Sequence, residues 1–314
     1  MKILVTGGAG FIGSSLVRKL FEMGNEVSVI DNFRRGNKID RDIQRKIQIH
    51  NIDIKNKLAV ENACLNIDIV FHLAAVLGVD IVADNPVETM ETEALGMLNI
   101  ANACIVNRVR KIVYASTSGV YGQSAIYDAV KEEYDVSPKS SYSIAKRYNE
   151  IYLASLYEEK KLESVSIRYF NVYGPKQDNR MVIPRFFQQA MNNKPITVYG
   201  NGDQTRDFTY IDDVVNATIL LAKKSKGSQI YNVSSEKEYS INQVAEKIVD
   251  VCESKSKITF INAPNSRYDF EVERRFGSSE KLFATTGFKP MTNFDNGLKS
   301  IHDYVLASDQ PIEF

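Results

Sequence analysis

Neither sign of charge is in excess in this chain, with 39 Lys+Arg against 39 Asp+Glu, and no arm or stripe concentrates the basic residues. That excludes a surface built to attract a nucleic-acid backbone. Small anions stay open, because a few placed arginines hold a diphosphate without any global excess. Cysteine is scarce: Cys64, Cys104 and Cys252 are far apart in sequence and form no CxxC pair, which predicts reduced structural thiols in a reducing compartment. Histidine is equally sparse, and His50, His72 and His302 lack ligand-like spacing, so no metal site is expected. Long apolar runs are missing, and the start Met1-Lys2-Ile3-Leu4-Val5 is too short for a signal h-region; a cytoplasmic protein outside the membrane is expected. Only 8 prolines, with 44% hydrophobic and 25% charged residues, exclude a disordered or fibrous chain.

What is present is a chain of 314 residues, enough for one large core with a smaller attached part. Short β-rich runs (Ile3 to Thr6, Glu26 to Ile30, Ile67 to His72, Arg110 to Ala115) alternate with helical patterns (Ile12 to Met23, Val87 to Asn107, Ser141 to Glu159). This alternation predicts βαβ units and a doubly wound parallel sheet of Rossmann type. The last two helices are expected to cover one sheet face, with Ile144, Tyr148, Ile151, Tyr152 and Ser155 on one stripe. Apolar outer sides on both would pair two subunits as a homodimer through a four-helix contact. The reading divides the chain into a first domain over 1–171 and a smaller α/β substrate region over 172–314, with about 209–235 returning to the main sheet.

The run Lys2 to Thr6 leads directly into Gly7-Gly8-Ala9-Gly10-Phe11-Ile12-Gly13, which opens a helix. A phosphate needs bare backbone N–H groups and a helix N-terminus, and side chains at Gly7 or Gly10 would hold a diphosphate off. Gly13 lets helix and strand approach. The next strand ends in Asp31, where a carboxylate accepts a ribose 2′-hydroxyl and repels a 2′-phosphate. The pattern therefore predicts a dinucleotide site selecting NAD over NADP, with Arg34 and Arg35 acting the other way. Asp53, closing the run Ile47 to Ile52, is expected beside the adenine or else as a turn carboxylate.

Tyr142 and Lys146 stand four apart at a helix start, on one face. The same spacing occurs at Tyr127/Lys131 and Tyr157/Lys161, so position must decide. Only Tyr142 follows a turn-rich stretch, Ser137-Pro138-Lys139-Ser140, downstream of a strand ending in Ala115-Ser116-Thr117-Ser118, at the edge where α/β ligands sit. A tyrosine base working near neutral pH needs its pKa of about 10 lowered by roughly 3 units, or about 4 kcal/mol. A lysine cation at about 4 Å supplies roughly that at an effective dielectric of about 20, and Thr117 would hold the same hydroxyl.

With these features the chain resembles the extended short-chain dehydrogenase/reductases, in particular their NAD-dependent nucleotide-sugar epimerases and dehydratases, over nearly its whole length. His72-Leu73-Ala74-Ala75, Arg168-Tyr169-Phe170-Asn171-Val172-Tyr173-Gly174-Pro175 and Val198-Tyr199-Gly200-Asn201-Gly202-Asp203-Gln204-Thr205-Arg206-Asp207-Phe208 carry the likeness further. The resemblance implies NAD contacts from Gly7, Gly10, Phe11, Ile12, Gly13, Asp31, Asn32, Asp53, Ile54, Leu73, Ala74, Ala75, Tyr142, Lys146 and Tyr169. It implies catalytic roles for Thr117, Tyr142 and Lys146, and a nucleotide sugar held by Thr117, Asn171, Val182, Tyr199, Arg206 and Arg267. For the two arginines, a surface ion pair is the competing reading.

Family members that eliminate water carry an Asp-Glu pair after the threonine, and those that decarboxylate a uronate a glutamate at the second of these positions; here Ser118 and Gly119 stand there. The remaining chemistry is 4-epimerisation through a transient 4-keto sugar, with a UDP-hexose of the UDP-glucose/UDP-galactose type expected. A GDP- or CDP-sugar, an N-acetyl sugar, a uronate, a UDP-glucuronate decarboxylase, a sugar-nucleotide dehydratase or 4-ketoreductase, and a non-catalytic NAD-sensing regulator stay open. Two positions depart from the family pattern: Glu93, where relatives have asparagine, and the apolar Val76-Leu77-Gly78.

Overall fold

Continuous apolar runs such as Ile3-Leu4-Val5 and Ile69-Val70-Phe71 suit strands covered on both faces. The computed structural model describes residues 1–76, 78–122, 128–262 and 273–307, with only the backbone of Val79 and Asp80. Its first strands are β1 (Lys2–Thr6), β2 (Glu26–Asp31), β3 (Gln48–Asn51), β4 (Ile69–His72), β5 (Lys111–Thr117) and β6 (Glu163–Tyr169). Then come β7 (Val172–Tyr173), β8 (Ile196–Tyr199), β9 (Thr205–Asp207) and β10 (Thr209–Tyr210). The last are β11 (Ser228–Val233), β12 (Glu238–Ser240), β13 (Ile258–Ile261) and β14 (Arg274–Arg275).

Seven strands form one sheet in the order β11-β6-β5-β4-β1-β2-β3, and every pairing is parallel. The order reverses between β1 and β4, the crevice where Rossmann-type sheets bind dinucleotides. Successive residues feed opposite layers: Ile3, Val5, Phe71 and Val113 pack on one side, Leu4, Val70, Ile112 and Tyr114 on the other. β11 joins the sheet from beyond the 1–171 region. Three smaller sheets, β10-β7, β12-β9-β14 and β13-β8, lie outside it.

Most predicted elements shift by one or two residues, as helix ends do. Two differ more. The stretch expected as one helix over Val87 to Asn107 is interrupted: Pro86–Met90 and Gly96–Val106 are α-helical, and Glu91–Leu95 between them is a π turn. Such turns insert an extra residue and re-aim side chains. The helix Ser141–Lys160 starts at a reciprocal Ser140/Ser143 capping box, but the stripe read as its sheet-facing side faces outward. Ile144, Tyr148 and Ile151 are 45%, 43% and 55% exposed, while Ala145, Asn149 and Leu153 are buried. Polar Asn149 and Glu150 lie on the buried side, which disguised it in the hydrophobic pattern.

Lys111 is buried and closes the far end of helix Ile211–Lys224. Its Nζ donates to the carbonyls of Ala222 (3.1 Å) and Ser225 (2.6 Å) and lies 3.2 Å from Glu163 Oε2, a cation at the negative pole of the helix. Cys64 and Cys104, distant in sequence, are free, buried and in contact. Among the described residues no helix is long and apolar enough to cross a membrane, and no cluster of metal-ligating side chains occurs.

Candidate active site

The glycine loop sits at the sheet reversal and is shaped by close approach. Gly7 has φ +68°, and a Cβ there would stand 2.6 Å from the Ala74 nitrogen. A Cβ on Gly13 would stand 2.1 Å from the Gly7 oxygen. Gly10 caps helix Phe11–Glu22 with no side-chain acceptor, so the amides of the first turn stay open to an anion. Asp31 is locked at the tip of β2: Oδ2 accepts from the Ala9 amide (3.0 Å) and Oδ1 from Phe33 (2.8 Å). Burial raises its carboxyl above the ordinary value, and these amides oppose the rise.

A cavity of about 850 Å³ runs from this loop across the ends of β1, β4, β5 and β6 to β8 and β9, near the upper limit for small-molecule sites of roughly 300–1,000 Å³. Gly7, Gly10, Phe11, Ile12, Gly13, Leu73, Ala75 and Tyr169 line one part of it. Thr117, Tyr142 and Lys146 lie at its middle, and Asn171, Val182, Tyr199 and Arg206 at the other end. Ala74 packs behind Gly7. Asn32, Asp53 and Ile54 do not line the cavity. Asn32 caps its own turn by accepting from the Arg34 amide, and Asp53 does the same with Lys55. Ile54 is buried in the core beneath Gly96. Arg267, Tyr127 and Leu77 fall outside the described residues.

The lining contains Lys139, Lys146, Arg180, Arg185, Arg206 and Arg275, but no Asp or Glu among the described residues. Lys146 and Arg180 are paired with Glu93 and Asp178 outside the lining, and the other cations of the wall favour an anion in the cleft. Arg275 was missed by the sequence reading. It is the register partner of Arg206 across the parallel pair β14·β9, and the adjacent basic pair Arg274-Arg275 was the available signal. Arg206 Nη1 donates to the Thr205 carbonyl at 2.7 Å, and the Arg185 guanidinium lies 4.8 Å from the centre of the Tyr199 ring. Behind the arginine strand, buried Asp207 accepts from Ser234 Oγ (2.6 Å) and from the amides of Ser235 (2.9 Å) and Glu236 (3.0 Å). Asn171 Nδ2 donates to the Asp207 carbonyl at 3.1 Å. Asp207 thus fixes the strand on which Arg206 stands.

At the centre, Thr117 lies among the groups that act on the Tyr142 hydroxyl and accepts from the Gly119 amide at 3.1 Å. Lys146 has a further partner that the four-residue spacing does not show. Its Nζ lies 3.0 Å from Glu93 Oε2, with both side chains 1% exposed, and 5.3 Å from the centre of the Tyr142 ring. Glu93 comes from the π turn, and its Oε1 accepts from the Val76 amide at 3.0 Å. Burial holds the Tyr142 hydroxyl well above the ordinary tyrosine value, Glu93 adds to the rise, and Arg35 and Thr117 oppose it. His72, bonded to Thr6 Oγ1 at 2.7 Å, is driven down to about 3 by burial and by Lys146, and so is neutral. The competing pair Tyr157/Lys161 sits at the opposite end of helix Ser141–Lys160, away from the cavity.

Comparison with known proteins agrees with this arrangement. The NAD dependent epimerase/dehydratase family matches residues 3–234. The chain is 36% identical to a UDP-N-acetyl-alpha-D-glucosaminuronate decarboxylase from Bacillus cytotoxicus, with 95% of each chain covered. It is 33% identical to a putative UDP-glucose 4-epimerase from Methanocaldococcus jannaschii, over 98% of this chain and 99% of that one. The structure of a UDP-glucose 4-epimerase from Thermus thermophilus in complex with NAD superposes with a TM-score of 0.90 at 32% identity, covering 98% of this chain and all (100%) of that one. The open first turn behind Gly10, the two glycines that admit no Cβ and the locked Asp31 carboxylate fit the same cofactor. The chain belongs to the NAD-dependent epimerase/dehydratase family and is an enzyme whose cofactor is NAD.

Proposed function

We propose that the enzyme interconverts the C4 epimers of a UDP-activated hexose, of the UDP-glucose/UDP-galactose type, through a transient 4-keto sugar. The observation that carries this reading is the composition of the cavity wall. Thr117, Tyr142 and Lys146 converge there, and among the described residues no carboxylate lines the wall beside them, Glu93 lying behind Lys146. Eliminating water needs an acid and a base besides the tyrosine, whereas epimerisation needs only one group that takes and returns the C4 hydroxyl proton. In this reading Tyr142 is that group, Thr117 orients the hydroxyl, and Arg206 and Arg275 clamp the diphosphate while Asn171, Val182 and Tyr199 border the nucleotide. Gly7, Gly10 and Gly13 receive the cofactor diphosphate and Asp31 the adenosine ribose; NAD, when bound, supplies reversible hydride transfer at C4.

The likeness to the Bacillus cytotoxicus decarboxylase favours a second reading, in which the sugar is a uronate that loses its carboxyl group after oxidation at C4. The cationic wall suits that extra charge. We further assign the enzyme to the cytoplasm, with its free cysteines reduced. We assign it to a homodimer through helix Ser141–Lys160, where Ile144, Tyr148 and Ile151 face outward; light scattering is expected to give twice the chain mass.

Proton NMR of the purified enzyme with UDP-glucose, UDP-N-acetylglucosamine and UDP-glucuronate, without added cofactor, tests the reaction. New galacto-type anomeric signals support epimerisation and identify the sugar. A pentose product establishes the second reading, and a dehydrated sugar overturns both.

A further inference from the structure

The mechanism proposed above leaves one buried charged group unexplained. Glu93 is 1% exposed, reaches the active-site lysine from another element, and stands where the family pattern has an amide. The π turn Glu91–Leu95 provides the placement. Its backbone is anchored by Asn149 Nδ2, which donates to the Glu93 carbonyl (3.0 Å) and lies 2.8 Å from the Tyr114 hydroxyl. One carboxylate oxygen takes the Val76 amide at 3.0 Å, leaving the other aimed at Lys146 Nζ. Lys146 also lies 4.8 Å from the centre of the Tyr114 ring. The ammonium therefore lies between the Glu93 carboxylate and the Tyr114 and Tyr142 rings.

We propose that Glu93 is a positioning residue that pins the Lys146 ammonium and offsets its field at Tyr142, so that the phenol holds its proton to higher pH than an uncompensated lysine would allow. The proposal rests on Tyr142 being the proton-transfer group. Coulomb's law supplies the reason: a cation helps a phenolate only while its charge is uncompensated, and an opposite charge at 3.0 Å makes the pair a dipole whose influence falls off quickly. The groups facing Tyr142 are Glu93 from the π turn, Arg35 from the loop after β2, Thr117 and Tyr114 of β5, and Lys146 one turn along the same helix. His72 of β4, stacked on Tyr114, carries no charge at neutral pH. Glu93 is the one carboxyl among the groups acting on the Tyr142 hydroxyl; burial raises it above the ordinary value, and Lys146 and the Val76 amide oppose the rise.

The chemical consequence lies in the pH dependence. Tyr142 must release its proton to solvent before it can take one from the C4 hydroxyl, so offsetting the Lys146 charge moves the onset of turnover to higher pH.

The test titrates Tyr142 directly in the enzyme as purified with its NAD. Ultraviolet tyrosinate absorbance is recorded against pH for the wild type and for Tyr142→Phe, and the difference gives the Tyr142 transition. The same pair of curves is then taken in the Glu93→Gln background. The wild-type transition is expected above the ordinary tyrosine value of about 10. Glu93→Gln should move it down by one pH unit or more, a tenfold gain in phenolate at fixed pH, and should move the acid limb of the kcat/KM profile in the same direction. Glu93→Asn gives the same readout should the glutamine variant not fold. A transition that stays within about 0.3 units in the folded variant, or a wild-type transition well below 10, overturns the proposal. Full activity of Tyr142→Phe overturns the functional reading instead, so the two failures are separable.

Discussion

Arg168 grips Glu150 with two prongs inside the protein: Nε lies 2.9 Å from Oε1 and Nη2 2.8 Å from Oε2, both side chains being essentially inaccessible. Ser116 Oγ adds a donor at 2.6 Å and Arg147 another at 2.9 Å. The pair ties β6 and helix Ser141–Lys160 to the strand end that carries Thr117. Burial alone would raise the Glu150 carboxyl, but Arg168, Ser116 and Arg147 outweigh it and hold it below the ordinary glutamate value.

Glu150→Gln leaves the Arg168 guanidinium buried and uncompensated, a loss expected at about 3–5 kcal/mol. The folded value is depressed, so the stabilisation is fully present above the unfolded value of about 4.3 and disappears as pH falls through the folded one. Scanning calorimetry should show a lower Tm for the variant at pH 7 and a gap from wild type that narrows below about pH 4. A constant gap would mean that packing, not charge, sets the loss.

Gly10 and Gly13 should separate cofactor binding from folding. A Cβ on Gly10 meets only the Gly7 oxygen, at 3.2 Å, whereas one on Gly13 collides with backbone at 2.1 Å. Gly10→Ala is expected to keep its Tm and weaken NAD binding by about tenfold or more, roughly 1.4 kcal/mol. Gly13→Ala should lose both. Bound NAD released on denaturation, measured beside the melting curve, checks the contrast.

Tyr142→Phe removes the proposed proton-transfer group without touching the glycine loop. Turnover should fall by about 10²- to 10⁴-fold or more, with NAD content unchanged. Undiminished turnover would move the chemistry to another residue.

Arg206→Ala and Arg275→Ala should act on substrate binding. Hydrogen bonds to charged groups contribute about 1.5–3 kcal/mol, so calorimetry with UDP should show binding weakened by roughly ten- to a hundred-fold in each, with a smaller effect on kcat. Loss in Arg206→Ala alone would remove Arg275 from the clamp.

Much of this site was legible in the chain because its signals are local. The glycine loop is a strand, a turn and a helix in immediate succession, and Tyr142 and Lys146 share one helical face, so period and position suffice. The Glu93–Lys146 contact spans 53 residues and depends on the π turn, which has no sequence period of its own. A charge balance taken from the Tyr142/Lys146 spacing alone therefore leaves out the Glu93 carboxyl. Helix Ser141–Lys160 was turned around because Asn149 and Glu150, polar in composition, are buried by partners 18 to 56 residues away. Asp53 was placed by the strand that ends before it, and its Oδ1 caps its own turn, while Ile54, implied by the family likeness, packs under Gly96.

The position of β11 has a consequence for synthesis. Ser228–Val233 pairs with β6 and covers an edge that β6 would otherwise present bare. A nascent chain halted near residue 171 already holds all six strands of the cofactor half, but with an open parallel edge able to recruit a neighbouring polypeptide. β6 gains its outer neighbour only after Val233 has emerged, more than 60 residues later. Synthesis of the segment beyond residue 171 is thus also the step that completes the main sheet, and the two halves are poor candidates for exchange as separate cassettes.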